Sequence, residues 1–423
     1  IRRDGISRIA PQNRWGTFGS IGLGWVVTGE DFFNIKGIDF LKLRGAWGKI
    51  GNAQGVADYI FLPAMVSTGS GVFGDYVYPS VAPADLPDPY LRWERGRGID
   101  LGFDLRALDS RLSAEITYYD KKTVDLITEI TQLASTGVQK FITNAGHISN
   151  KGIEVALGWN DKITDDLRFS VTPNFSYNKN KVVAIGNNID YLLIGNGGVN
   201  RTVRGESVGH FYGYRQVGIY QSTKDLDDYP RWANSLPGDI MFADLNNDGV
   251  ITEADRENLG SPFPSWNFGV NLSLDYKNFD FLIQGQGVAG NYIYTQRRTA
   301  VFTDLNLESN RLNAWDGMGT SNIEPILDKS RGNNYRFSTY FLEPGDYFRI
   351  RTIQLGYTLK PKNLSNTLFK GLRLYMSGQN IHTWSKATGY TPEVPISSIL
   401  GGGADNGVYP IPAVYTFGVN VTF

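Results

Sequence analysis

One stretch has the residue types and spacing of a cation-binding loop. In "DLNNDGVITEAD", Asp244, Asn246 and Asp248 stand at alternate positions and Gly249 permits a tight turn after them. Val250 offers a main-chain carbonyl and Asp255 a carboxylate at the twelfth position. Oxygen ligands at this spacing converge on one hard cation, which makes a structural Ca2+ the expectation. Asp in place of Glu at the last position shortens the clasp. The competing expectation is an Asx-rich turn closed by its own side-chain-to-backbone hydrogen bonds. Other chemistry finds little support. "GSGVFG" (Gly69 to Gly74) spells a dinucleotide fingerprint but lacks the preceding strand and following helix that give it meaning, and 49 glycines make such a match unremarkable by chance. His147, His210 and His382 are scattered without metal-ligand spacing. No Ser/His/Asp set or carboxylate pair stands out, so the expectation is no enzyme. With no cysteine, disulfides and thiolate metal sites are excluded. A formal net charge of −1 argues against a nucleic-acid partner.

The elements that must position such residues are strands. No run of 18 apolar residues exists, so a helical membrane span is excluded. In "YTFGVNVTF", Tyr415, Phe417, Val419, Val421 and Phe423 share one parity, while Thr416, Gly418, Asn420 and Thr422 share the other. "WNFGVNLSLDY", "LRFSVTPNFSY" and "GIEVALGW" repeat this rule, giving strands with one oily and one polar face. About eleven are expected, near 17–27, 39–50, 92–107, 111–128, 150–160, 166–182, 264–276, 279–290, 346–360, 371–385 and 413–423. Most reach the ~9–11 residues of a tilted membrane strand rather than the ~5–6 of an ordinary one.

Connections decide which face meets what. Short links alternate with long ones near 51–91, 129–149, 183–263, 291–345 and 386–412. If strands run up and down, all long links lie at one end, as in transmembrane barrels. The expected fold is therefore an all-β, transmembrane antiparallel β-barrel, oily face to lipid and polar face to a wet lumen. "GHFYGYRQVGIYQ" (Gly209 to Gln221) is strand-like but breaks the alternation if it spans, so it is assigned to a structured extracellular loop. About eleven strands leave two unpaired edges, which hydrocarbon cannot satisfy. A partner chain or an N-terminal barrel half must close the barrel, and plugged transporters have about 22 strands. The opening "IRRDGISRIA" reads as if cut from something longer. Lys42, Arg44, Asp100, Asp104, Glu115, Glu154 and Arg168 fall on the lumen parity, where they either line a substrate route or solvate the interior. Tyr59, Phe61, Phe73, Tyr76, Tyr78, Phe211, Tyr212, Tyr214 and Trp232 are loop aromatics that could stack on a ligand or pack among themselves.

These segments together resemble the C-terminal half of a SusC/RagA-type TonB-dependent outer-membrane transporter. The likeness is carried by "LKLRGAWGKIGN", "LRWERGRGIDLGFDLRALDSRLSAEITYYDKKTVDLI", "DLNNDGVITEADRENLGSPFPSWNFGVNLSLDYKNFDF", "GDYFRIRTIQLGYTL", "LYMSGQNIHTW" and "GVYPIPAVYTFGVNVTF", in order along nearly the whole chain. The resemblance implies import of oligosaccharides or oligopeptides across the outer membrane of a Bacteroidetes-type bacterium. It further implies a SusD-like surface lipoprotein as a lid, an N-terminal plug, and energy from TonB through a box absent from this chain. Phe423 at the periplasmic rim would mark the last strand for the barrel-assembly machinery. The alternatives are a siderophore or cobalamin receptor and a passive porin or structural surface protein. No residue is assigned to substrate.

Overall fold

The computed structural model describes the chain apart from residues 54–55, 59, 64, 84–85, 132–139, 187–190, 195–197, 301–307, 360–370, 397 and 399. Its dominant element is one sheet of eleven strands. They are β1 (Ser20–Val26), β2 (Ile38–Asn52), β3 (Glu94–Ala107), β4 (Leu112–Val124), β5 (His147–Lys162) and β6 (Leu167–Ala184). Then come β7 (Trp266–Tyr276), β8 (Phe279–Ala289), β9 (Tyr347–Leu359), β10 (Gly371–Ser385) and β11 (Val414–Thr422). Every pairing is antiparallel and joins sequence neighbours, so the sheet is a plain meander with β1 and β11 at its edges.

Registers fix the facing, because directly opposed residues project to the same side. Leu272 stands opposite Val171 on β6 and Ile283 on β8. Asn271 stands opposite Thr172 and Gln284. One face is thus oily across strand after strand, and the other polar. The oily band is bracketed by aromatic rows. At the short-link end Tyr276, Phe279 and Tyr357 stand side by side. At the long-link end Trp266 lies beside Tyr177, ring centroids 4.6 Å apart. Between those rows β7 has 11 residues. At about 3.4 Å per residue and ~40° tilt this spans roughly 26–29 Å, close to the apolar band of an outer-membrane barrel.

Link lengths alternate as expected, two residues joining β7 to β8 and residues 185–265 joining β6 to β7. The link of 360–370 lies outside the described residues. Most strand limits shift by one to three residues, and two strands fall short of the expected run by three residues or more. The run expected over 111–128 stops at Val124, because Asp125 takes a left-handed φ of 57° and turns the chain. Its carboxylate receives the Arg95 guanidinium, and Ile127–Thr131 leaves the sheet to pair with Lys140–Asn144. The run expected to begin at 17 is broken at Gly19, with Trp15–Phe18 pairing instead with Arg2–Gly5. Residues 210–221 form two short strands outside the large sheet, His210–Gly213 and Gln216–Ile219.

The long links carry the molecule's main apolar core. Val199, Phe211, Tyr214, Ile219, Ile240, Phe242 and Ile251 from the β6–β7 link pack with Tyr294, Tyr340 and Phe341 from the β8–β9 link. Ala404 of the β10–β11 link leans on the same cluster. Three separate links therefore share one interior, which is where their hydrophobic stabilisation comes from.

Candidate functional site

The polar face of the sheet divides into two chemistries. On β2–β4 it is charged and partly paired within itself. Arg44 Nε donates to Asp104 Oδ1 at 2.9 Å, and its other arm reaches Thr117 Oγ1. Lys121 Nζ lies 3.2 Å from Asp100. Lys42, Glu115, Glu154 and Arg168 occupy the same face, as expected, and make no ion pair among the described residues. Across β6–β9 the face changes to amides. Asn174, Asn267, Asn271, Gln284 and Gln286 line a depression of about 450 Å³, together with Tyr347 and one cation, Arg351. The sequence reading put Asn174, Asn267 and Asn271 on the polar face of their strands without singling them out as a site, and it passed over Gln284 and Gln286. The signal was present in "FLIQGQGVA", whose two glutamines share a parity.

At the rim of that depression sits a buried cation. Arg349 is 2% exposed. Its guanidinium donates to Glu393 Oε2 at 2.8 Å and Thr383 Oγ1 at 2.7 Å, while Tyr347 Oη donates to Glu393 Oε1 at 2.7 Å. Burial alone would raise the Glu393 pKa, but the Tyr347 hydroxyl and Arg349 outweigh it and hold the carboxyl below its usual range. The β10–β11 link is thereby tied to β9. A second network ties it to the β8–β9 link: Arg297 bonds Glu308, Asp405 and Thr388, and Arg298 bonds Glu343 and, at 3.0 Å, the Tyr340 carbonyl.

The loop aromatics separate by availability. Phe211 and Tyr214 are core residues. Tyr212 is flanked by the guanidinium groups of Arg201 and Arg256, 4.3 and 4.6 Å from its ring. Arg336 lies 3.6 Å from the Trp232 ring, occupying a face a ligand would need. Phe61 is half-buried, and Tyr59 lies outside the described residues. Phe73, Tyr76 and Tyr78 remain, at 73%, 70% and 52% exposure. They sit on a hairpin of Met65–Phe73 with Tyr76–Pro83 in the β2–β3 link, turned at Gly74 where φ is +62°. Val72, Val77 and Val81 on the same hairpin are also exposed. The "GSGVFG" run is part of its first strand and turn, with no helix after it.

The Asp-rich loop lies in the β6–β7 link. Asp244 accepts from the Asn247 N–H at 2.7 Å and the Gly249 N–H at 2.9 Å. Asn246 Oδ1 accepts from Asp248 N–H, and Asp248 Oδ1 from Val250 N–H. Asp255 is fully buried, accepting from Leu245 N–H at 2.9 Å and Thr252 N–H at 2.7 Å. These bonds use about half of the roughly four acceptor positions on each carboxylate. Among the described residues no three or more His, Asp or Glu side chains converge as metal ligands would.

Comparison with known proteins places this geometry. The family model described as "TonB dependent receptor-like, beta-barrel" matches residues 1–381. TonB-dependent receptor P3 of Formosa agariphila is 31% identical over 441 residues, covering 100% of this chain and 43% of that protein. TonB-dependent receptor SusC of Bacteroides thetaiotaomicron is 28% identical over 433 residues, covering 100% and 42%. The chain thus spans less than half the length of these relatives. Among solved structures the RagAB peptide transporter superposes with a TM-score of 0.82 at 21% identity, over 99% of this chain and 44% of that one. That match establishes a shared fold.

Proposed function

The chain belongs to the TonB-dependent receptor-like β-barrel family of outer-membrane proteins, receptors and transporters rather than enzymes, and from that premise we propose that it forms part of the wall of an energised nutrient importer. Its cargo is an oligosaccharide or an oligopeptide, and a SusD-like surface lipoprotein sits over the long-link end as a lid. The observation that carries this reading is the amide-lined depression on the polar, lumen-facing side of β6–β9. Carboxamides both donate and accept hydrogen bonds without fixing a charge. They suit sugar hydroxyls and peptide groups, and they bind weakly enough to release a cargo that must pass through. The protruding hairpin with Phe73, Tyr76 and Tyr78 supports the lid, since exposed aromatics on a rim are the side chains that protein interfaces enrich. In this reading the long links are extracellular and Phe423 lies at the periplasmic side. A plug and contact with TonB belong to the part of the relatives that this chain does not span. Calcium held by Asp244, Asn246, Asp248, the Val250 carbonyl and Asp255 is proposed as a structural ion in the extracellular cap.

The test is to purify the native complex from membranes and identify its co-purifying chains and ligand by mass spectrometry. A surface lipoprotein and a bound glycan or peptide are expected. Recovery with an iron chelate or corrinoid and no lipoprotein would replace this reading with that of a siderophore or cobalamin receptor.

A further inference from the structure

On the lipid side of β2–β6, the oily band gives way at the long-link end to cations. On β2, Trp47 is followed two residues on by Lys49, and on β3 Ile99 is followed by Arg97. Beyond Tyr118 on β4 comes Lys122, and beyond Ile153 on β5 comes Lys151. Beyond Tyr177 on β6 comes Lys179. Each lies an even number of residues past its oily neighbour and therefore projects to the same, outer face. Registers bring them together. Lys49 stands directly opposite Arg97, Arg97 opposite Lys122, and Lys151 opposite Lys179.

Like charges directly opposed on neighbouring strands are destabilising. One carboxylate relieves the belt, Asp120, which lies 2.7 Å from Lys151. Lys49 rests near the Trp47 ring, and Arg97, Lys122 and Lys179 have no ion pair among the described residues. Strands about 4.8 Å apart set Lys49, Arg97 and Lys122 in a line roughly 10 Å long. The other half of the sheet lacks this feature: at the same end and face β7, β9, β10 and β11 present Trp266, Phe348, Trp384 and Tyr415.

We propose that the outer face of β2–β4 above the aromatic girdle, with Lys49, Arg97 and Lys122, extended by Lys179, is a docking surface for the phosphate groups of an outer-leaflet lipid headgroup. The surface is continuous with the lipid-facing band, so a headgroup whose acyl chains cover Trp47, Ile99 and Tyr118 has its phosphates at the height of the cations. Aromatic girdles sit at headgroup level, and basic residues beside them attract anionic headgroups. A phosphate between opposed cations cancels the repulsion that the bare registers contain. The proposal rests on the long-link end being the outer one, which places the belt in the outer leaflet.

The experiment takes the assembled, delipidated transporter in detergent and titrates it with bisphosphorylated lipid A, dephosphorylated lipid A, or inorganic phosphate. Bound lipid is read by native mass spectrometry. Bisphosphorylated lipid A is expected to bind. Its affinity should fall on the order of 100-fold in an Arg97→Gln, Lys122→Gln, Lys179→Gln triple variant, three cations at about a fivefold factor each. Lys277→Gln, at the opposite rim, should leave binding unchanged. Equal binding of the two lipids, or unchanged binding in the triple variant, overturns the proposal. So does displacement of the lipid by millimolar inorganic phosphate, which would mark a free-anion site. No substrate or lid enters the measurement, so it fails or succeeds separately from the importer reading.

Discussion

Replacing Leu272 by Arg tests the facing of the whole sheet. Leu272 lies one residue from the midpoint of β7, between Val171 and Ile283, six residues from Trp266 in one aromatic row and four from Tyr276 in the other. On the lipid side an Arg there sits near the bilayer midplane, where a cation costs about 2–4 kcal/mol in an outer-membrane barrel. That corresponds to a folding equilibrium poorer by roughly 30- to 700-fold. Asn271→Arg adds the same charge one residue away on the other face, opposite Thr172 and Gln284. There the guanidinium meets water and amide oxygens, and a cost below about 1 kcal/mol is expected. The assay is denaturant unfolding of the assembled barrel in bilayers, with heat-modifiability on gels as a measure of folding in cells. Equal losses for the two variants, or a larger loss for Asn271→Arg, would falsify the assignment of oily side chains to lipid.

Other perturbations address the rim and the cap. Arg349→Met should cost about 2–3 kcal/mol by leaving Glu393 without its cation, and adding Glu393→Gln should recover part of the loss; strictly additive effects in this double-mutant cycle would mean that the two groups do not interact. His210 is buried, and that burial holds its pKa below 6.5 against the opposing pull of the Ser207 carbonyl and Glu206. The unfolded chain therefore binds the proton more readily, so this contribution is complete above pH 6.5 and is lost as pH falls below it. Thermal melts at pH 7.5 and 5 should show a smaller acid-induced drop for His210→Gln than for the wild type, and parallel drops would refute the assignment. Calorimetry should detect saturable calcium binding that Asp244→Ala abolishes; no heat at millimolar calcium removes the ion from the Asp-rich loop.

The sheet was legible because a two-residue period is written locally: each strand carries its own oily and polar parities, and link lengths sorted the ends. The strand limit at Val124 was not, since Thr123 to Thr128 keep an extended-looking composition and the left-handed Asp125 finds its guanidinium partner in Arg95, thirty residues away. The loop aromatics failed in a similar way. Nothing near Tyr212 announces that Arg201 and Arg256 will flank its ring, and Trp232 meets an arginine from another link. The amides of the depression were readable by parity, but they matter as a group only once β6, β7 and β8 lie side by side.

The shared interior of the β6–β7, β8–β9 and β10–β11 links has a mechanical corollary. With Phe211, Tyr294 and Phe341 in one cluster and Arg297 bridging Glu308 to Asp405, a displacement at any of these three segments is borne by all of them. The described parts of these links are thereby coupled to one another and to the ends of β6 through β11. Under the proposed importer reading, any aperture that widens would have to hinge against these coupled segments, and its compliance would have to come from segments that do not share their contacts.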